Sequence, residues 1–298
     1  MESLEGLFIW GNNLVGTIPT ELGTFPTLYY LYLGYNSLTG TIPPELGAIS
    51  VLLVLSAEQN SLTGSIPPSC IEKWTGLNQL YLFDNMLTGT IPETISNSYS
   101  FLLYLDLHSN KLVGTMPQQL SILTELKYLY LEGNHLSGVI PSGITSLPSL
   151  VSMDLSNNIK LKGGLDSIFD VDFSSSLEYL FLSNVLITGS LPDIFQFPGL
   201  KTLVLSNNCI SGTLMASTSQ STSGMNTLSL NALSLGAHCP NKDIIHGSIP
   251  SSFFAVPNLT DLYLVGNGLT GTLPELGSSS LDIINLAYNC MTGILHQL

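Results

Sequence analysis

The chain has 298 residues, of which 9% are charged and 44% are hydrophobic, and its formal net charge is -14. No apolar run reaches the roughly 18 residues that a membrane-spanning helix needs, which excludes direct membrane insertion of this segment. The apolar residues are therefore spread along the chain, as in a repeat protein. The excess of acids disfavours nucleic acids and anionic membranes as partners and favours cationic or neutral ones.

A template of about 24 residues, L-x-x-L-x-L-x-x-N-x-L-x-G-x-I-P-x-x-L-G, recurs along the chain and is complete at residues 28–47. We count about twelve copies of roughly 22 to 30 residues, with an irregular tenth copy at about residues 228–250. Val185 replaces the template asparagine in the eighth copy. The asparagine is present at Asn12, Asn36, Asn60, Asn85, Asn110, Asn134, Asn158, Asn208, Asn267 and Asn289.

Each template position has a mechanical task. The leucines of L-x-x-L-x-L point inward from a short strand, and stacking on the strands of neighbouring copies buries them. The asparagine amide satisfies backbone groups in the turn that follows the strand. The glycine supplies conformational freedom, and the proline prevents a regular helix at the start of the return segment. The repeat predicts one solenoid over residues 1–298.

The second half of the template, GTIP at residues 40–43 and GSIP at residues 64–67, resembles the plant-type leucine-rich repeats. These occur in receptor-kinase ectodomains, receptor-like proteins and polygalacturonase inhibitors. The resemblance covers the whole chain and implies an α/β-type solenoid. Its expected form is a right-handed superhelix with a concave parallel β-sheet, short flank strands and 3-10 turns on the convex side. It also implies a recognition module that is extracellular or at the cell surface.

The two ends of the chain depart from the family pattern. Plant-type ectodomains usually begin and end with cysteine-containing caps, whereas Leu4 already belongs to a repeat strand and Leu298 lies just inside the last copy. Uncapped terminal repeats expose core leucines to water. We therefore expect a segment of a longer chain that lacks both caps, or a partner that covers the ends.

The outward x residues of the strands form two columns. The central column begins Phe8, Tyr32, Ser56, Tyr81, Asp106, Tyr130, Asp154 and Phe181, and the next begins Trp10, Gly34, Glu58, Phe83, His108 and Glu132. All tyrosines except Tyr99 fall on x positions of the strand segments. Aromatic side chains with a polar end are typical of binding hot spots. The predicted partner-binding residues are Phe8, Trp10, Tyr30, Tyr32, Tyr81, Phe83, Asp106, Tyr128, Tyr130, Glu132, Asp154 and Phe181.

These residues predict a non-catalytic module that binds a protein or peptide on the concave face. The carboxylates there favour a cationic or amphipathic partner. Three alternatives remain open: tyrosines that only cover the sheet as good strand formers, a structural subunit of a larger complex, and ice binding or adhesion. The last rests on TGT at residues 39–41, 88–90 and 270–272, with Thr17 and Thr115 in the same register. The rows are interrupted at Val113, Ser137, Val139 and Ser211.

Catalytic and metal motifs are absent from the sequence. No nucleophile motif, phosphate-binding loop or His/Cys metal spacing occurs, so we expect neither an enzyme nor a cofactor. Asp106 and Asp154 share a column but stand two copies apart, roughly 10 Å, which is too wide for one calcium ion.

The cysteines and one sequon complete the predictions. Cys70 replaces a template leucine and is expected to be a buried apolar residue. Cys209 and Cys239 occupy equivalent positions in neighbouring copies, within disulfide reach, whereas Cys290 lies two copies further on. A Cys209–Cys239 bond is the predicted pairing, with two free thiols as the alternative. Asn258 begins the N-x-T sequence of a glycosylation site.

Overall fold

The computed structural model describes residues 3–98, 101–170, 173–194, 197, 199–215, 232–234, 245–256, 259–276 and 280–293. The chain divides into two compact units. The first comprises Met1–Leu150 with Asn157–Leu161, and the second comprises Val151–Ser156 with Lys162–Leu298. The organisation of residues 1–298 as one continuous solenoid stays a prediction.

The first unit contains a sheet of short parallel strands that follow one another in chain order. Each strand coincides with the central part of one predicted L-x-x-L-x-L segment, and its middle leucine faces the core. Leu31 and Leu129 are fully buried, while Tyr30 on the opposite side is exposed. The strands are Gly6–Phe8, Tyr30–Tyr32, Val54–Ser56, Gln79–Tyr81, Tyr104–Asp106 and Tyr128–Tyr130.

The second unit repeats the arrangement. Its strands are again parallel and in chain order, which confirms the predicted repeat class. They are Ser152–Asp154, Tyr179–Phe181, Thr202–Val204, Ala232–Ser234, Asp261–Tyr263 and Ile283–Asn285.

Short flank strands follow the asparagine turns, as the family resemblance implied. In the first unit, Val15–Thr17 pairs with Ser37–Thr39, and Val113–Thr115 pairs with His135–Val139. The strand Lys160–Gly164 contributes residues 162–164 to the second unit, where they pair with Leu186–Ser190. The further parallel flank strands of that unit are Cys209–Thr213, Ile245–Gly247 and Gly268–Leu269.

The return segments form 3-10 turns, as predicted, with two short α-helices. Proline precedes these turns in an extended conformation. Pro43, for example, has φ -67° and ψ 131° immediately before the turn that begins at Pro44. The 3-10 turns are Thr20–Thr24, Pro44–Ala48, Glu93–Ser98, Gln118–Ile122, Ile144–Ser146 and Ser251–Ala255, and the α-helices are Pro68–Lys73 and Leu165–Ile168.

The core is apolar. Cys70 is fully buried, as predicted. Its thiol is free, and burial raises its pKa to about 11. Trp74 is buried at the end of the same helix, where its indole N–H donates a hydrogen bond to the Leu46 carbonyl at 3.0 Å. The buried indole N–H of Trp74 is therefore satisfied by the backbone of the preceding repeat.

The template asparagines form the predicted hydrogen-bonded ladder. In Asn85 the Nδ2 atom donates to the carbonyls of Ala57 at 3.0 Å and Leu82 at 3.1 Å. Its Oδ1 atom accepts from the Leu62 N–H at 2.9 Å. One side chain thus joins the turn of its own repeat to the backbone of the preceding repeat.

Candidate functional site on the open face of the first unit

The open face is defined here as the side of the first unit's sheet that carries the outward x residues. Parallel pairing places Phe8 opposite Tyr32, and Tyr32 opposite Ser56. The same column continues through Tyr81 to Asp106. The register of the predicted central column is therefore confirmed within this unit, where paired residues lie about 5 Å apart.

Aromatic rings stack at the first strands of the open face. The ring centroids of Phe8 and Tyr32 lie 5.0 Å apart with planes 20° from parallel, and those of Phe8 and Tyr30 lie 6.3 Å apart. Phe8 and Trp10 remain 59% exposed. Large aromatic surface is thus presented to solvent on adjoining strands.

A second group of rings lies further along the same face. The centroids of Tyr104 and Tyr128 are 4.6 Å apart with planes 13° from parallel, and Tyr81 lies 5.9 Å from Tyr104. Tyr128 and Tyr130 are 6.3 Å apart. Sequence reasoning omitted Tyr104 from the site. It occupies the first position of its strand, and Tyr30 and Tyr128 occupy the same position in theirs. Because both of those tyrosines were predicted site residues, this shared position was the available signal.

An acidic cluster with one histidine adjoins these rings. The His108 Nδ1 atom lies 2.6 Å from Asp106 Oδ1 and 3.7 Å from Glu132 Oε1. The imidazole ring stacks on Phe83, with centroids 4.5 Å apart and planes 10° from parallel. Asp106, Phe83 and Glu132 were predicted site residues, and the structure brings them together around His108.

The protonation of His108 reflects this setting. Burial alone lowers its pKa, but the hydrogen bond and the charge of Asp106, followed by the charges of Glu132 and Asp84, raise the pKa above its ordinary value. The charged imidazolium is therefore populated over a wider pH range than in an exposed histidine.

Glu58 is a further residue of the open face that sequence reasoning left out of the site. It is 92% buried (8% exposed), and its carboxylate lies against Gly34, where an added Cβ would be 2.4 Å from Oε1. Burial is the largest cause that raises the pKa of Glu58, and the charge of Asp106 adds to it. The pKa of Tyr32 is likewise raised, first by its burial and then by Glu58. The signal in the sequence was the glycine that precedes Glu58 in its column.

The remaining predicted residues lie elsewhere. Asp154 and Phe181 are register partners in the second unit, where Asp154 Oδ1 accepts a hydrogen bond from the Ser156 N–H at 2.8 Å. Cys209 is disulfide-bonded. Its predicted partner Cys239 and the sequon residue Asn258 lie outside the described residues, so that pairing and that glycosylation site stay predictions.

The expectation that every tyrosine except Tyr99 falls on a strand was wrong for three of them. Tyr29, Tyr35 and Tyr288 occupy x positions but lie outside the strands. Tyr35 and Tyr288 have φ values of 53° and 57° and stand in the turn just before the ladder asparagine. The chain leaves the strand there through a left-handed residue, which ends the alternation of inward and outward side chains.

The described residues offer neither a metal site nor a membrane span. Within those ranges, no group of three or more His, Cys, Asp or Glu side chains is arranged to hold a metal ion. No helix in the same ranges has the length and apolar character required to cross a membrane.

Comparison with protein families agrees with this architecture. Models described as leucine-rich repeat match residues 101–159, 27–49 and 76–98. No curated protein matches the chain. The fold and the repeated strand, turn and flank units define a leucine-rich-repeat solenoid protein. Its repeats are of the plant type.

Three solved structures illustrate the similarity. The PEPR1–AtPEP1 structure is 33% identical over 97% of this chain and 39% of that one, with a TM-score of 0.86. The plant peptide hormone receptor RGFR1 in complex with RGF2 is 29% identical over 98% and 52%, with a TM-score of 0.72. A plant ice-binding protein is 26% identical over 80% and 75%, with a TM-score of 0.66. The chain thus spans about half or less of the two receptors.

Proposed function

We propose that this chain is a non-catalytic recognition module that binds a protein or peptide on the open face of its first unit. The observation that carries the proposal is the stack of aromatic rings beside the cluster of Asp106, His108 and Glu132. Support comes from the similar receptor RGFR1, which was solved with RGF2. By the same similarity, we place the recognition event outside the cell or at its surface.

The chemistry of the face supports a cationic or amphipathic peptide as the partner. Tyrosine and tryptophan bury large areas at low cost in side-chain entropy, and rings already stacked on neighbouring strands lose little freedom on binding. Carboxylates beside those rings favour ammonium or guanidinium groups. A cationic or amphipathic peptide fits both features.

The exposure of the rings argues against a purely structural role. Tyr30 is 39% exposed, and the nearby Phe8 and Trp10 are each 59% exposed. Adjacent exposed aromatic side chains are typical of an interaction surface.

The experiment uses random peptides displayed on phage and selected against the chain. We expect the selected peptides to be basic and aromatic, and to lose at least tenfold in affinity when Tyr32, Tyr81 and Tyr130 are all changed to alanine. The loss follows from removing buried aromatic anchors, each worth about 1–2 kcal/mol or more. Affinity is measured by isothermal titration calorimetry.

The matched control carries Tyr35→Asn and Tyr288→Asn, which remove exposed rings from turns and suit a positive φ. The control should bind as tightly as the parent chain. Unchanged affinity in the triple alanine variant, with its fold intact by circular dichroism, contradicts the proposal.

A second candidate function is ice binding through the flank. The similar plant ice-binding protein is covered over 75% of its length, more than either receptor. Thr17, Thr41, Thr90 and Thr115 are all exposed in the first unit. Their spacing follows the repeat of the solenoid, which gives a row of methyl and hydroxyl groups.

Thermal hysteresis and ice-crystal shaping test this candidate. Activity that disappears when Thr41, Thr90 and Thr115 are changed to tyrosine, but survives the triple alanine change on the open face, supports it. An unaltered chain that neither lowers the freezing point nor shapes crystals is not an ice-binding protein.

A further inference from the structure

The flank of the first unit lacks the acidic residues that give the chain its negative charge. Its segments follow the ladder asparagines and comprise residues 13–18, 37–42, 61–66, 86–91, 111–116, 135–140 and 159–161. None of these segments contains an aspartate or a glutamate. They do contain Lys111, His135 and Lys160, which we call the basic stripe. In a chain with a net charge of -14, this flank is therefore a local surface that suits an anionic partner.

The basic stripe runs through consecutive repeats. The Lys111 N–H donates a hydrogen bond to the Leu87 carbonyl of the preceding repeat at 2.8 Å. In the next repeat, the His135 N–H donates to the Leu112 carbonyl at 2.8 Å. Lys160, like the other two basic residues, immediately precedes a fully buried leucine. Because neighbouring repeats are about 5 Å apart, the three residues form one row along the flank.

The side chains of the basic stripe are available to a partner, since all three are exposed. Across the residues that the structure describes, none of them forms an ion pair, whereas Lys201 Nζ lies 2.7 Å from Glu178 Oε2. The two lysines of the stripe carry full positive charges, and His135 adds another when it is protonated. A carboxylate that arrives at the stripe therefore has no internal carboxylate to displace.

Exposed aliphatic side chains adjoin the basic stripe. Val113 begins the flank strand that follows Lys111, and Val139 ends the flank strand that begins at His135. The two valines are 44% and 65% exposed, and Ile159 in the next repeat is 59% exposed. Both valines interrupt the threonine rows of the flank. The interruptions therefore coincide with the basic stripe and place apolar surface beside it, which is typical of an interaction surface.

We propose that the basic stripe and the aliphatic residues beside it dock an extended segment of a partner protein in which carboxylate and aliphatic side chains alternate. The segment lies across the repeats, with its carboxylates toward the stripe and its aliphatic side chains against the valines. Alternate residues of an extended chain are about 7 Å apart, and flexible lysine side chains make up the difference from the repeat spacing. This docking surface is separate from the open face, so the inference goes beyond the proposed function.

Charge and apolar contact have different tasks on this surface. A single exposed ion pair contributes little to affinity, so a row of cations selects an acidic segment more than it holds one. Burial of the exposed aliphatic side chains supplies further affinity. The acids elsewhere on the chain do not cancel the attraction, because charges farther away than about 8 Å are largely screened at physiological ionic strength.

The test uses the peptide acetyl-DVDVD-amide as the probe and acetyl-NVNVN-amide, its uncharged isostere, as the control. Backbone amide signals of the full chain are followed by NMR while each peptide is added. The acidic probe should saturate and shift the signals of residues 111–115 and 135–139, and added salt should weaken its binding. Equal binding of the uncharged peptide, or shifts confined to other parts of the chain, would overturn the inference.

Lysine variants test the contribution of charge. Lys111→Gln combined with Lys160→Gln removes two exposed cations and should weaken binding of the acidic probe about tenfold. Lys73→Gln is the matched control, because Lys73 is an exposed lysine of the same unit that lies in the helix Pro68–Lys73 and not on the flank. A loss in the control that equals the loss per lysine in the double variant would show only a general effect of net charge, and the proposed site would be wrong.

Valine variants test the apolar contact. Val113→Thr combined with Val139→Thr restores the residue type that Thr88 and Thr115 provide at the equivalent positions of preceding repeats, so the fold should be retained. Binding of the acidic probe should weaken about threefold, because buried methyl groups are replaced by hydroxyls. Val15→Thr, at an exposed flank position far from the stripe, is the control and should change nothing. Unchanged affinity in the double valine variant would mean that any polyanion binds the stripe, which contradicts an acidic and aliphatic segment as its occupant.

The outcome is distinguishable from failure of the proposed function. The variant with Tyr32, Tyr81 and Tyr130 changed to alanine should bind the acidic probe as tightly as the parent chain does. If that variant loses the probe while the lysine variant keeps it, the acidic peptide binds the open face and the flank surface is wrong.

Discussion

At the scale of single residues, the ladder asparagines show why a polar side chain recurs inside an apolar core. Asn85 is only 8% exposed, yet its amide is satisfied by backbone groups of two repeats. Leucine cannot replace it, since buried carbonyls and an N–H would lose their partners.

We predict that Asn85→Ala lowers the free energy of unfolding by about 2–3 kcal/mol, because it leaves several buried backbone groups without partners. Urea unfolding followed by circular dichroism measures the change. Asn12→Ala is the control, because Asn12 belongs to the same ladder but is exposed, so water replaces its bonds to the Ile9 and Trp10 carbonyls. Equal losses in the two variants contradict the argument.

His108 makes a second prediction at this scale. Its folded-state pKa is raised above its ordinary value, so its pairing with Asp106 stabilises the fold fully below about pH 6.5. That contribution is lost as pH rises through the folded-state pKa. His108→Gln should therefore cost about 1 kcal/mol at pH 5.5 and much less at pH 9, as measured by urea unfolding at both values. A cost that is independent of pH would show that the imidazolium does not stabilise the fold.

At the scale of the elements, glycine and threonine fit the flank segments together. Gly138 has a φ of 79°, and a Cβ added there would lie 2.7 Å from the Cγ2 atom of Thr115 in the preceding repeat. Gly40 stands in the same relation to Thr17, at 2.8 Å. The template glycine is thus required twice, by backbone conformation and by close approach of the neighbouring repeat.

We predict that Gly138→Ala destabilises the chain by about 2 kcal/mol, from the left-handed backbone together with the clash. Adding Thr115→Ser removes the methyl group and should restore only the part due to the clash. Thermal unfolding of the two single variants and the double variant measures the interaction between the sites. Strictly additive effects would show that the methyl contact is irrelevant.

At the scale of the whole molecule, the described cysteines include one that is disulfide-bonded and two that are free thiols. Cys209 is disulfide-bonded, while Cys70 and Cys290 are free. Cys70 is fully buried with a pKa raised to about 11 by burial, whereas Cys290 is exposed. Their reactivities toward alkylation therefore differ, because the thiolate is the reactive form and must be accessible.

Iodoacetamide treatment at pH 8 followed by peptide mapping should label Cys290 in the folded chain, and Cys70 only after unfolding. Without reductant, Cys209 should be recovered in a peptide linked to Cys239. A linked peptide that joins Cys209 to any other cysteine would disprove the predicted pairing.

Much of the fold was predictable because the template fixes several independent positions in every copy. The leucine spacing predicted where the strands of the open face lie, and the asparagine spacing predicted how they align. The register of Tyr32 with Ser56 therefore followed from counting residues. Tyr35 shows what the spacing did not predict. This residue precedes the asparagine, and its left-handed conformation is set by the closing of the turn and not by the alternation along the strand.

The sequence alone therefore determined the repeat, the strands, the ladder and the columns of the open face, since a periodic pattern leaves a single register in which the strand leucines face the core. Only the tertiary structure decided that Glu58 lies over Gly34, that His108 bonds Asp106, and that Tyr104 stacks on Tyr128. These contacts join side chains of neighbouring strands, or depend on the rotamers that the neighbours allow, and spacing along one chain does not specify rotamers.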